Sequence, residues 1–234
     1  MSGEETKQIH CDLHMHSNYS FDSFMSPKFI IKSAKIRNTS IISVTDHGNM
    51  DIYLNEFTPE RREQIFNEYG IFIVPGMEIK TNRGDVIGLF LNKEITSTTF
   101  SDVVAEIKDQ DGIVMLPHPY HRDCDPRELI PEVDILETVN GRCRSQKNDQ
   151  AVSLSESMNV PSVGGSDAHM YWEIGQIQTI ISGSLPSHPV KTDVIELICE
   201  SKRTVRGSPL PFLMTHGTSL ATERVKTVLG LTNQ

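Results

Sequence analysis

Short apolar runs rich in β-branched residues recur along this chain, and longer mixed segments with helical spacing separate them. Strand-like runs at 9–15, 41–44, 71–74, 86–91, 113–116, 135–139, 161–164 and 174–181 alternate with helical segments at 27–37, 59–69, 100–108, 146–158, 194–200 and 219–231. Repeated strand-then-helix order predicts an α/β fold around a mostly parallel sheet. The helix boundaries carry their own signals. Ser26 precedes Pro27 as an expected N-cap, Ser101 is the expected cap of the 100–108 helix, and Gly70 closes the 59–69 helix. With 234 residues and no long linker or repeat, a single barrel-sized domain over 1–234 is expected, with the segment after about residue 208 as a candidate appended tail.

Metal-type side chains fall at the ends of those apolar runs. His14 and His16 follow the first, Asp46 and His47 the second, Glu78 the third and His118 the fifth, and Asp167 and His169 follow the run that ends at Gly164-Gly165. Asp85 opens the fourth run. In parallel α/β folds the C-terminal strand ends share one face, so these groups converge there. Each piece alone has an ordinary alternative. His14-x-His16 is a modest metal signal, Thr45-Asp46-His47 reads equally as a capped turn, and Glu78 as a solvated acid. Their conjunction carries the argument. His10, His188 and His216 lie outside it and read as structural or surface residues, while His121 lies close enough to His118 to face the same pocket.

Composition excludes several function classes. A net charge of −9 argues against a domain that coats nucleic acid, without excluding a small basic pocket. No apolar run approaches the ~20 residues of a membrane span. The start of the chain lacks the pattern of a secretory signal, and a cytoplasmic protein is expected. Cys11, Cys124, Cys143 and Cys199 form no CxxC pair, so free thiols are expected.

Taken together, His14-x-His16, Thr45-Asp46-His47, Gly76-x-Glu78, His118-Pro119 and Gly165-Ser166-Asp167-x-His169 resemble the PHP (polymerase and histidinol phosphatase) family in order and spacing over residues 9–170. The stretch from Glu137 through Asn140, Gly141 and Arg142 is also similar to family members. The resemblance implies a distorted (β/α)7 barrel with two or three divalent metals at the C-terminal strand face, and hydrolysis of phosphate esters. It implies His14, His16, Glu78 and Asp167 at one metal, Glu78 bridging to a second with His118, and Asp22, His47 and His169 at a third. Asp85 stands near where many members have a histidine. As a ligand it would make the second site harder, tilting preference toward Mn, Fe or Mg over Zn.

On this reading Glu78 sets the metal spacing, Asp167 orients the nucleophile and His169 or His47 assists the leaving group. Arg142 and Arg144, after the strand end at Asn140-Gly141, are the expected phosphate-binding residues, with a solvated surface role as the alternative. The expected substrate is a small-molecule phosphoester or nucleotide. Three alternatives stand beside it: a family exonuclease on nucleic-acid ends, a catalytically weak metal-binding module acting through partners, and another barrel hydrolase such as an amidohydrolase. The last expects a bridging lysine on a strand, where this chain has Glu78.

Overall fold

The computed structural model describes residues 7–231. Nine strands form one sheet: β1 (Gln8–Asp12), β2 (Ile41–Val44), β3 (Phe72–Thr81), β4 (Gly84–Leu89), β5 (Ile113–Leu116), β6 (Ile135–Asn140), β7 (Ser162–Gly165), β8 (Ile177–Ser182) and β9 (Arg203–Gly207). The helices are α1 (Pro27–Ile36), α2 (Asp51–Asn55), α3 (Pro59–Tyr69), α4 (Phe100–Lys108), α5 (Ser145–Met158), α6 (Lys191–Glu200) and α7 (Phe212–Leu229). The sheet order is β7-β6-β5-β4-β3-β2-β1-β8-β9. Its ends curl toward each other, and the Gly164 amide donates to Thr179 Oγ1 at 2.8 Å, so the sheet is a nearly closed barrel.

The sheet is less parallel than the alternation predicts. β1–β2, β2–β3, β5–β6 and β6–β7 pair in parallel, but β3–β4, β4–β5, β1–β8 and β8–β9 are antiparallel. The cause is a hairpin. β3 runs past Pro75, where its pairing with β2 stops, and turns at Asn82–Gly84 directly into β4 without a crossover helix. Glu78 therefore sits inside a long strand, beyond the end of the parallel pairing, and not at a strand terminus.

Period-two alternation divides the core. Ile9, Cys11, Ile41, Val74, Ile87, Leu89, Met115 and Ile135 pack with Val194 and Ile198 of α6. Their strand neighbours Ile42, Val44, Ile73, Val86, Val114 and Leu136 pack outward against Ile30 and Ala34 of α1, Val103 and Ile107 of α4, and Leu154 of α5. Gly70 closes α3 in the left-handed conformation, as expected. The cap of α4 is Thr99 rather than Ser101: its Oγ1 accepts from the Asp102 amide at 3.4 Å, because Phe100 and Ser101 already have helical geometry. Ser26 holds the N-cap backbone position of α1 without a side-chain bond. All four cysteines are free. Among the described residues no helix is long and apolar enough to cross a membrane.

The segment after residue 208 lies across the rim of the barrel. The Leu210 amide donates to Gly141 O at 3.2 Å, and Lys226 Nζ donates to Asn18 O at 2.8 Å and Ser20 O at 2.5 Å.

Candidate metal centre

Buried carboxylates lace the strand ends together before any ligand is considered. Asp12, the last residue of β1, accepts the Ser166 amide on Oδ1 and the Gly175 amide on Oδ2, each at 3.0 Å. Burial pushes its carboxyl up to about 6. Asp46 accepts both the amide and the hydroxyl of Ser17 at 2.6 Å. Its carbonyl accepts the Glu78 amide at 3.2 Å, and the Gly48 amide donates to Glu78 O at 2.9 Å, so His47 and Glu78 are held side by side. On the far side, the Asp167 amide donates to His14 O and the His16 amide to Ala168 O, both at 2.8 Å.

Two site residues have left-handed backbone, His118 with φ 29° and Asp167 with φ 51°. Such conformations cost about 1–3 kcal/mol and persist where surrounding structure enforces them. At His118 the enforcing contact is its amide bond to Glu137 Oε2, at 2.8 Å.

Three overlapping groups of ligand atoms result, each with all its atoms within 4.8 Å of one another: His14, His16 and Asp167; His14, Glu78 and His118; and His16, Asp22, His47 and His169. Glu78 stands between them. Its Oε2 lies 3.3 Å from His14 Nε2, His16 Nε2 and His47 Nδ1, while Oε1 lies 3.2 Å from His118 Nε2. Asp167 Oδ1 is 3.4 Å from His16 Nε2 and 3.7 Å from His14 Nε2. Asp22 Oδ2 is 2.7 Å from His169 Nε2 and 3.6 Å from His47 Nε2. His16 thus joins the third group as well as the first, which the sequence did not indicate.

Charge balance favours a cation here. Burial alone would lower His14, but the carboxylates of Glu137, Asp167 and Glu78 outweigh it and hold the ring well above its ordinary value. His16 likewise rises to about 10, burial being overcome by Asp167 and Glu78. Burial opposes ionisation of Glu78, yet His14, His47 and His118 hold its carboxyl well below the usual range. His169 is lowered to about 4 by burial and by the neighbouring His16 charge, against Asp22. The buried carboxylates thus favour positive charge among these rings. The arrangement is poor for protons, because His14 Nε2 and His16 Nε2 face each other at 3.4 Å, and two N–H groups aimed at one another repel. Imidazole nitrogens and carboxylate oxygens aimed inward at shared points match the donor set of Mn, Fe or Zn.

One further residue belongs to the site. Glu137, fully buried on β6, accepts His14 Nδ1–H on Oε1 at 2.9 Å, and Asn140 Nδ2 on Oε2 at 2.9 Å. A carboxylate on the outer nitrogen of a ligand histidine fixes its tautomer and raises its basicity. A Cβ on Gly165 would collide with this carboxylate, so glycine there makes room for it. The sequence signal was an acid within the apolar run Ile135-Leu136-Glu137-Thr138-Val139.

Asp22, His47, Glu78, His118, Asp167 and His169 line a cleft of about 170 Å³ together with Asp85, His121, Asn140, Arg142, Cys143 and His216, and His14 and His16 lie buried behind them. Asp85 faces the cleft but lies outside the three groups. Arg142 is nine-tenths buried and its Nη2 donates to Thr215 O at 3.1 Å and Ser219 Oγ at 2.8 Å, binding α7 to the rim. Arg144 is exposed and lines an adjoining cavity. Arg122 is spent on the carbonyls of Arg83, Asp85, Pro117 and Pro119 at 2.9–3.1 Å. His216, expected as a structural or surface residue, lines the cleft because α7 packs over it.

Comparison with known proteins gives a consistent picture. Residues 12–158 match the PHP domain family, and residues 145–192 a PHP-associated family. An uncharacterized protein of Methanocaldococcus jannaschii is 31% identical over 176 residues, covering 70% of this chain and 67% of its own. A two-domain protein of Bacteroides vulgatus containing a predicted PHP-like metal-dependent phosphoesterase superposes with a TM-score of 0.68 at 19% identity. That match covers 86% of this chain but 65% of the Bacteroides chain. The lesion-specific endonuclease Q of Pyrococcus furiosus superposes with a TM-score of 0.58 at 14% identity, covering 85% of this chain and 58% of the endonuclease. At such identities the structural likeness concerns the fold alone.

Proposed function

The chain belongs to the PHP domain family, and from that premise we propose that it is a metal-dependent hydrolase of phosphate esters acting on a small molecule or nucleotide. The observation that carries this reading is the convergence of three overlapping ligand groups on the two oxygens of Glu78. We assign the metal-holding role to His14, His16, Asp22, His47, Glu78, His118, Asp167 and His169, with Asp85 a cleft acid beside them. Two or three divalent ions held there would neutralise phosphate oxygens and make water acidic enough to attack near neutral pH.

The remaining roles follow from what each side chain can reach. Asp167 keeps Oδ1 toward His14 and His16 while its Oδ2 accepts Asn140 Nδ2 at 3.2 Å, a fixed carboxylate suited to orienting the nucleophile. His169 Nδ1 lies 2.9 Å from Asp167 O, which accepts the single N–H of a neutral ring, and this leaves Nε2, beside Asp22, to hold a metal rather than to protonate the leaving group. Arg142 supplies a fixed positive wall to the cleft. We take the chain as one such domain, in which the segment after residue 208 completes the rim.

The test is a panel of phosphomonoesters, phosphodiesters, nucleotides and short oligonucleotides with Mn-loaded protein. Turnover of small esters that vanishes on metal removal is the expected result. Preference for oligonucleotide ends would favour the exonuclease alternative, and no turnover of any ester with full metal content would overturn the hydrolase reading.

A further inference from the structure

We propose that the cleft adjoins a second anion-binding subsite, so that the preferred substrate is a compact phosphate ester carrying a second phosphate. This rests on the phosphoesterase reading and names the substrate class for the same site. Beside the metal cleft lies a cavity of about 240 Å³ lined by His121, Arg142, Cys143, Arg144, Lys147 and His216. Four of these, His121, Arg142, Cys143 and His216, also line the cleft, so the two spaces adjoin along a shared wall.

The two halves differ sharply in charge. The cleft contains Asp22, Glu78, Asp85 and Asp167, whereas no carboxylate lines the adjoining cavity. Three permanent cations converge there in a chain whose net charge is −9. Arg144 and Lys147 enter no ion pair among the described residues. Arg142 is held in place by α7, and its Nη1, which makes no hydrogen bond, lies 3.9 Å from Glu173 Oε2.

The backbone adds to this field. Arg144 is the N-cap of the 14-residue helix α5, whose first turn has no side-chain cap and no acidic residue. Its positive end is therefore uncompensated on the side where the cations gather. One phosphate bound among the metal groups leaves this cationic space for another anion on the same molecule. A short carbon chain or sugar with two phosphates fits this lining.

The test measures binding, so it can be read whether or not the protein turns over. α,ω-Alkane bisphosphonates of rising chain length and their matched monophosphonates are titrated calorimetrically into metal-loaded wild type and into Lys147→Glu and Arg144→Ala/Lys147→Glu. In wild type one chain length should bind at least tenfold more tightly than its monophosphonate. That preference should fall at least tenfold in the double variant, with melting curves confirming that it is folded. Equal affinity for the two ligand types in wild type, or a preference that survives in the double variant, would overturn the subsite. Absence of ester turnover alongside a charge-dependent bisphosphonate preference would sink the hydrolase reading and leave the subsite standing.

Discussion

Glu137 Oε1 accepts a hydrogen bond from His14 Nδ1 at 2.9 Å while its Oε2 accepts one from the backbone amide of His118 at 2.8 Å. One buried carboxylate thus fixes the ring of His14 and the strained backbone of His118, two members of the same ligand group. Glu137→Gln is nearly isosteric but cannot balance a proton-sharing imidazole with charge. Metal affinity should fall roughly 10–100-fold, the range for losing such a support. Competition with a chromophoric chelator measures it, and an unchanged affinity would show that Glu137 serves the fold only.

Removing metal should destabilise the protein as well as silence it. An ion that binds only the folded state contributes about 2.7 kcal/mol when present at a hundred times its Kd. For a chain of this size that corresponds to ~5–10 °C in Tm. Calorimetric scans with EDTA and with added Mn should differ by that amount, and coincident scans would argue against a bound ion.

Glu78 and Asp22 should separate clearly. Glu78 faces four histidines from all three groups, whereas Asp22 faces His47 and His169 of one. Glu78→Gln should therefore lower both turnover and metal stoichiometry more than Asp22→Asn. Asp85→Asn should leave stoichiometry intact. Metal analysis of the three purified variants decides it, and equal losses at Glu78 and Asp22 would count against a shared bridge.

Cys143 lines the cleft, yet burial, followed by the charges of Glu137 and Asp167, pushes its thiol up to about 12. At pH 8 only about one such thiol in 10,000 is ionised, too few for ready alkylation. Iodoacetamide should label Cys143 far more slowly than a free cysteine, as read by mass spectrometry. Rapid labelling would mean that the thiol is more open than its packing indicates.

Much of this site was legible because metal-type residues at the ends of apolar runs need no tertiary knowledge to stand out. His14, His16, His47, Glu78, His118, Asp167 and His169 fall into three overlapping groups of neighbouring ligand atoms. The β3–β4 hairpin was less legible, since Pro75 reads as a strand end while in the sheet it is the last residue paired to β2. β9 escaped notice because Arg203-Thr204-Val205-Arg206-Gly207 is a polar, partly exposed edge with little hydrophobic signal. His216 could not have been found from sequence. Its place depends on the Arg142 bonds to Thr215 and Ser219, contacts that join residues more than 70 positions apart.

The grip of Lys226 on the loop at Asn18 and Ser20 has a consequence in time. The carbonyl of Asn18 precedes its partner by 208 positions. A ribosome adding about 5–20 residues per second takes roughly 10–40 s to cover that interval. Throughout it the earliest loop of the barrel mouth exists without its fastening. The mouth is therefore among the last parts of the molecule to mature, and a nascent chain that has already folded most of its barrel still has an unfinished entrance.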